Sequence, residues 1–288
     1  MEKLKQNRAL SFLTVLVVYI VAAIIGVFTY LALELEWWAS LLIADVIATV
    51  VTFVFSVIFK NASVYDPYWS VQPIVILVAF AIGNALPLFG VLLLAAVIIW
   101  GTRLTVNWAY TFGNLNHQDW RYTMLKEKTK VFYPVINFVG IHMVPTLVVY
   151  GCVLPAVYAI KNGLHANFGS VIFICLSLFA VVIQGTADYQ MHKYRKNRNG
   201  NFNRNGLWKY SRHPNYLGEI LMWWGVALAV VCSADNLWYL CIGAVANTVL
   251  FVSTSIPLAE GRQSRKAGYK EYKAETRVLL PVKKPLWK

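Results

Sequence analysis

The chain has 288 residues, 58% of them hydrophobic and only 14% charged, with a mean hydropathy of +0.55. A soluble domain carries roughly 25% charged residues, so an ordinary soluble enzyme is excluded. A net charge of +13 raises nucleic acid as a partner, but the positions of the charges make it a signal of membrane topology instead.

Apolar runs fall at roughly 9–33, 38–59, 71–83, 87–112, 134–160, 168–191, 214–232 and 237–257. A spanning helix needs about 20 residues. The pattern therefore predicts an all-α, polytopic transmembrane bundle of about seven or eight helices in one integral membrane domain, residues 1–288. Lys3, Lys5 and Arg8 precede the first run as in a signal peptide, but that run is too long for a cleavable one. The short run 71–83, joined to the next by Gly83-Asn84-Ala85-Leu86-Pro87, is either a full crossing or one arm of a re-entrant hairpin.

With this map, every Lys and Arg except Lys161 lies on one side or at its boundary: the N-terminus, the loops near 60–70, 113–133 and 192–213, and the tail from 257. Glu34, Glu36 and Asp235 lie opposite. The positive-inside rule makes the basic side, and with it both termini, cytoplasmic, in a bacterial inner membrane or the endoplasmic reticulum. Membrane lipids are expected partners and nucleic acid is not; the oligomeric state is left open.

Several polar stripes interrupt the apolar pattern. Asp45 is a lone acid mid-helix and reads as a structural polar residue. Tyr65-Asp66-Pro67-Tyr68-Trp69 stands where the chain re-enters the membrane, and Asp66 is the only acid between Asp45 and Asp119. A carboxyl at such a boundary can be held protonated by desolvation and donate to a carbonyl; an Asx-type turn is the plainer reading. Trp100, Arg103, Asn107 and Tyr110 share one helix face. An intramembrane Arg such as Arg103 is a functional candidate by default, with snorkelling as the alternative.

Gln184, Asp188, His192 and Arg195 line another face, where Asp188 is either a ligand contact or a structural partner of Arg195 or Lys193. Tyr210-Ser-Arg212-His213-Pro-Asn215-Tyr-Leu-Gly-Glu219 follows at a basic loop where a helix begins, which suits an anion. Asn215 and Glu219, four apart, share a face of that helix. Arg262, Arg265, Tyr269 and Tyr272 are spaced 3, 4 and 3 apart and read as one basic, aromatic helix face, either for a dinucleotide's phosphates and rings or for an anionic leaflet. The four cysteines sit singly in apolar runs, and no metal site is indicated. There is no GxGxxG, Walker A or Ser/His/Asp pattern.

The run Tyr210–Glu219 resembles the C-terminal signature of the steroid 5α-reductase family in its bacterial and protist branch. Sterol C14-reductases and isoprenylcysteine carboxyl methyltransferases carry similar Arg-His-Pro motifs. The resemblance covers roughly residues 60–285, leaving the helices of 1–60 ahead of a reductase-like region, 61–288, whose cofactor part is 180–285. It implies NADPH as cofactor, bound by Asp188, Arg195, Arg212, His213, Asn215, Glu219, Arg262, Arg265, Tyr269 and Tyr272. Gln184 stands where the family has Asn. It further implies that Asp66, with Tyr65, Tyr68 and Arg103, polarises the carbonyl of a lipid enone. The activity expected is reduction of an α,β-unsaturated ketone, or another activated double bond, in a steroid or isoprenoid-like lipid. The rivals are an S-adenosylmethionine-dependent membrane methyltransferase and a non-catalytic lipid-binding protein.

Overall fold

The computed structural model describes residues 2–197 and 202–281. Positions 198–201 and 282–285 of the expected cofactor part lie outside the described residues. In chain order the helices are α1 (Glu2–Gln6), α2 (Arg8–Ala32), α3 (Trp37–Ile58), α4 (Tyr68–Gly83), α5 (Leu88–Thr111), α6 (Trp120–Thr129), α7 (Tyr133–Val135), α8 (Val144–Lys161), α9 (Phe168–Asn197), α10 (Pro214–Val231), α11 (Ile242–Leu250), α12 (Ile256–Gln263) and α13 (Tyr269–Glu275). Among the described residues no β-strand forms beyond one isolated bridge, Ser211 to Arg277. An all-helical span follows from the bilayer, where an unpaired backbone group costs several kcal/mol and a helix pairs its own.

Seven helical segments of the described chain are long and apolar enough to cross a membrane: 8–32, 37–58, 62–83, 88–111, 120–161, 168–197 and 238–263. The protein is therefore a multi-pass membrane protein. Helices α4 and α5 form two segments side by side: Ser70 bonds Thr105, and Trp69 meets the Trp100 ring. Helix α10 contains Asn215 and Glu219 and is buried along most of its length. It runs antiparallel to α9, with Gly218 against Ala180 and Gly225 against Phe173. A Cβ at Gly218 would stand 2.7 Å from the Ala180 carbonyl. Without a hydrophobic force between helices in lipid, such close backbone approach supplies the dispersion contacts that hold a pair together.

The segment 120–161 is one continuous helical path. It passes through a 3-10 turn at Lys130–Phe132, α7 and a π-helical stretch at Ile136–Met143 that buries His142. A second π stretch, Phe251–Ser255, precedes Pro257 in α12.

The basic loops gather at one end of the bundle. Lys5 Nζ donates to the Phe59 carbonyl at 2.5 Å, Arg8 to Ala109 at 2.9 Å and Asn114 to Gln6 at 3.0 Å. The Arg262 guanidinium stands 4.4 Å over the Trp120 ring, so the tail meets the same loops. At the opposite end Tyr150 donates to the Trp38 carbonyl and Asn167 to that of Cys232.

The structure differs from the sequence reading in the tail. Arg262, Arg265, Tyr269 and Tyr272 do not share one helix. Helix α12 ends at Gln263, and α13 starts only after Gly268, whose φ of +79° admits glycine far more readily than other residues. The break lets α13 fold back and bury Tyr269 and Tyr272, while Arg262 and Arg265 stay exposed.

Candidate functional site

Helices α5, α9 and α10 each turn two of the predicted polar residues into their common interface. Arg103 donates from Nη1 to Asp188 Oδ2 at 2.6 Å and from Nη2 to Gln184 Oε1 at 2.7 Å. The Gln184 amide then donates to Glu219 Oε2 at 2.7 Å. Glu219 also accepts from Trp100 Nε1 at 2.9 Å and from Trp223 Nε1 at 3.0 Å. Asn215 Nδ2 reaches Asp188 Oδ1 at 3.4 Å. This is a relay: Arg103 is neutralised by Asp188, and its second donor row polarises the Gln184 amide toward the buried Glu219 carboxyl. A glutamine at 184 fits because one face of its amide must accept from Arg103 while the other donates to Glu219.

The partner of Asp188 is thus Arg103, eighty-five positions earlier in the chain, and not the neighbouring Arg195 or Lys193 considered from sequence. Both carboxylate and guanidinium are largely enclosed, with 16% and 18% of their side chains exposed. Arg195 is exposed on the basic end. His192 meets Asn107 at 2.7 Å and the ring of Tyr110.

The Arg-His-Pro loop forms a second cluster around Glu260. Its Oε1 accepts from Arg212 Nε at 2.9 Å and from Tyr269 OH at 2.7 Å, and lies 2.9 Å from His213 Nε2. Arg212 also donates to the Thr276 carbonyl, and Tyr272 to that of Trp208. The backbone joins in, His213 N donating to Val278 O at 3.1 Å and Arg212 N to Arg277 O at 2.9 Å. Burial pushes the Tyr272 hydroxyl up to about 12, so it remains a neutral donor. Arg212, His213, Tyr269 and Tyr272 therefore clip the tail onto the start of α10. Loop geometry brings them together with Glu260, not with the Asp188 relay.

A third group surrounds Asp66. Its Oδ1 accepts from Tyr122 OH at 2.5 Å, with Arg121 and Asp119 close by. The tyrosine beside this carboxyl is consequently Tyr122, not Tyr65 or Tyr68. Tyr65 turns away to Thr146 at 2.8 Å, and Tyr68 turns to Thr49 and Asp45. The cause is the turn at 65–67 ahead of α4: Tyr65 and Tyr68 face α8 and α3, while Asp66 faces the start of α6. Asp45, read from sequence as a structural polar residue, is buried, accepts from the Gln72 amide and lines a cavity between α2, α3 and α4.

Residues 52–276 match the family DUF1295, described as a protein of unknown function. The chain belongs to that family. This DUF1295 chain is 28% identical over 207 residues to an uncharacterized protein of Schizosaccharomyces pombe, covering 62% of the chain and 60% of the relative. Over 139 residues it is 32% identical to a protein of Acanthamoeba polyphaga mimivirus named as a probable 7-dehydrocholesterol reductase, covering 41% of the chain and 30% of that relative. The chain therefore spans less than two thirds of the length of either relative. No solved structure matches it.

Three residues of the DUF1295 chain were not singled out from sequence. Glu260 is the hub of the Arg212 cluster, and an acid just before two arginines at a helix end was the available signal. Tyr122 lies in the first turn of α6, just after Asp119. Tyr216 stacks on the His213 ring at 5.2 Å and packs against the Phe251 ring, with Arg121, Asp119 and Asp188 in electrostatic reach. No periodicity marks such a residue. Among the described residues no three His, Cys, Asp or Glu side chains cluster as a metal site.

Proposed function

We propose that the protein is a membrane-embedded, NADPH-dependent reductase of an activated double bond in a steroid or isoprenoid-like lipid. The observation that carries this reading is the relay from Arg103 through Gln184 to Glu219, with Asp188 and Asn215 at its open end. Ionisable groups at membrane depth are costly and mark functional sites, and three of them, Arg103, Asp188 and Glu219, meet here from three helices. The mimivirus relative, named as a probable 7-dehydrocholesterol reductase, points to the same class of chemistry.

The residues present fit a nicotinamide dinucleotide. Asn215 Oδ1 and Arg103 Nε are buried with no hydrogen-bond partner among the described residues, so the relay retains an acceptor and a donor for a carboxamide. Arg195, Arg262 and Arg265 are exposed at the basic end and suit its phosphates. Bound NADPH would supply a hydride to the β-carbon of the enone. The chain's part is to hold the substrate carbonyl at Asp66 and Tyr122, where a donated hydrogen bond stabilises the enolate that hydride addition leaves. A proton returned to the α-carbon completes the saturated ketone. The positive-inside rule places this basic end in the cytoplasm.

The test is the melting temperature of the purified protein with NADPH, NADH or S-adenosylmethionine, since a ligand of the native state must stabilise it. Stabilisation by NADPH, followed by its oxidation on adding a 3-oxo-4-ene steroid or an isoprenoid enone, is expected. Stabilisation by S-adenosylmethionine alone would replace the reading with methyl transfer.

A further inference from the structure

The helical path 120–161 is 42 residues long. At about 1.5 Å per residue it measures about 60 Å, twice the roughly 30 Å hydrocarbon core of a bilayer. Part of it therefore runs outside the core. The crossing is the apolar run 134–160, which leaves α6 and the turn after it at the basic end. Lys130 at this junction has φ +45° and ψ −109°, a backbone that a residue with a Cβ rarely adopts and that persists only where the surroundings impose it. Just beyond it, Val131 and Phe132 are 87% and 73% exposed.

The start of α6 is tied to the Asp66 group. Asp119 N donates to Ser63 Oγ at 2.9 Å, Tyr122 donates to Asp66, and Tyr122 and Leu125 pack against Ala62, Ile141 and Tyr133. The other end of α6 carries Lys126, Lys128 and Lys130, all exposed. Glu127 is the only acid between Asp119 and Tyr133, and among the described residues none of the three lysines forms a salt bridge. Three lysines beside an exposed Val-Phe pair, where a crossing helix begins, match one kind of surface: phosphates outside and acyl chains beneath. A soluble anion would occupy the lysines and leave Val131 and Phe132 in water. We propose that the turn Lys126–Phe132 is a docking site for anionic phospholipid. The headgroup phosphates lie on the three lysines, and Val131 and Phe132 enter the acyl boundary, which supplies the constraint that the Lys130 backbone requires. The charge of the leaflet thereby holds α6, and Tyr122 with it, against Asp66.

The inference rests on the geometry of α6 and not on the reductase reading, so its test uses neither cofactor nor substrate. Full-length protein is placed in nanodiscs of phosphatidylcholine alone or of phosphatidylcholine and phosphatidylglycerol in equal parts, and amide hydrogen exchange is read by mass spectrometry. Amides 121–133 should exchange about tenfold or more slowly in the anionic discs, the scale of two excess charges at a charged surface, while those of α9 and α10 should not change. The triple Lys126→Gln/Lys128→Gln/Lys130→Gln variant should lose the difference, and the corresponding triple arginine variant, which keeps the charge, should retain it. Phe132→Ser should lose most of it. Equal exchange of 121–133 in the two discs, a difference that survives in the glutamine variant, or the same protection by inorganic phosphate in the neutral discs would each overturn the assignment.

Discussion

Arg103 on α5 and Asp188 on α9 meet at 2.6 Å inside the bundle, and this pair fixes where the charges of the relay stand. It makes the helices' polar stripes face one another: Arg103 can turn its second row of donors to Gln184 only because Asp188 already neutralises it. Removing one partner leaves an uncompensated charge in an enclosed site, a loss of about 3–5 kcal/mol. Arg103→Ala and Asp188→Ala should each lower the melting temperature clearly, while the double Arg103→Ala/Asp188→Ala variant should lose less than the two single losses combined. Fully additive losses in a double-mutant cycle would show that the pair is not coupled.

The exposed and the buried arginines should behave differently. Arg195→Ala, Arg262→Ala and Arg265→Ala should each weaken NADPH binding about ten- to a hundredfold, from roughly 1.5–3 kcal/mol per charge-assisted bond, with the fold intact. Arg212→Ala should instead loosen the tail, because Arg212 is tied to Glu260 and to the Thr276 carbonyl. Protease sensitivity after residue 263 separates the two effects. If all three exposed variants bind NADPH as wild type does, the basic tail returns to a membrane-surface role.

For the chemistry, Asp66→Ala and Tyr122→Phe should slow single-turnover oxidation of NADPH by an enone lipid, with cofactor affinity nearly unchanged. General acid assistance supports a decrease on the order of 10²–10⁴-fold for the carboxyl. Because Tyr122 donates to Asp66 at 2.5 Å, the double variant should be little slower than Asp66→Ala alone. Wild-type rates in Asp66→Ala would remove this carboxyl from the mechanism.

Sidedness is checked by single cysteines. A probe at Asn162 or Ala234 should react with an impermeant thiol reagent added outside, and one at Gly268 should not. Labelling of position 268 in sealed cells would reverse the orientation and move the basic end out of the cytoplasm.

Composition and periodicity by themselves determined that the chain is a helical membrane bundle, because 20-residue apolar runs have no other low-energy state in lipid. The basic loops were legible for the same reason, and the loops rich in Lys and Arg do meet at one end. Within single helices, sequence also brought out the right faces: Gln184 with Asp188, and Asn215 with Glu219, are neighbours at helical spacing and remain so. What spacing could not supply was partnership between helices. Asp188 pairs with Arg103, and Asp66 with Tyr122, because packing sets helix rotation and neighbour, and neither leaves a periodic trace. The tail shows the complementary failure. Its spacing of 3, 4 and 3 promised one helix face, but the left-handed backbone at Gly268 lets the chain fold back, and Tyr269 and Tyr272 gain burial against the Arg212 loop. The cavity at Asp45 was invisible for a simpler reason: an empty space has no residues of its own, and only the separation of α2, α3 and α4 creates it.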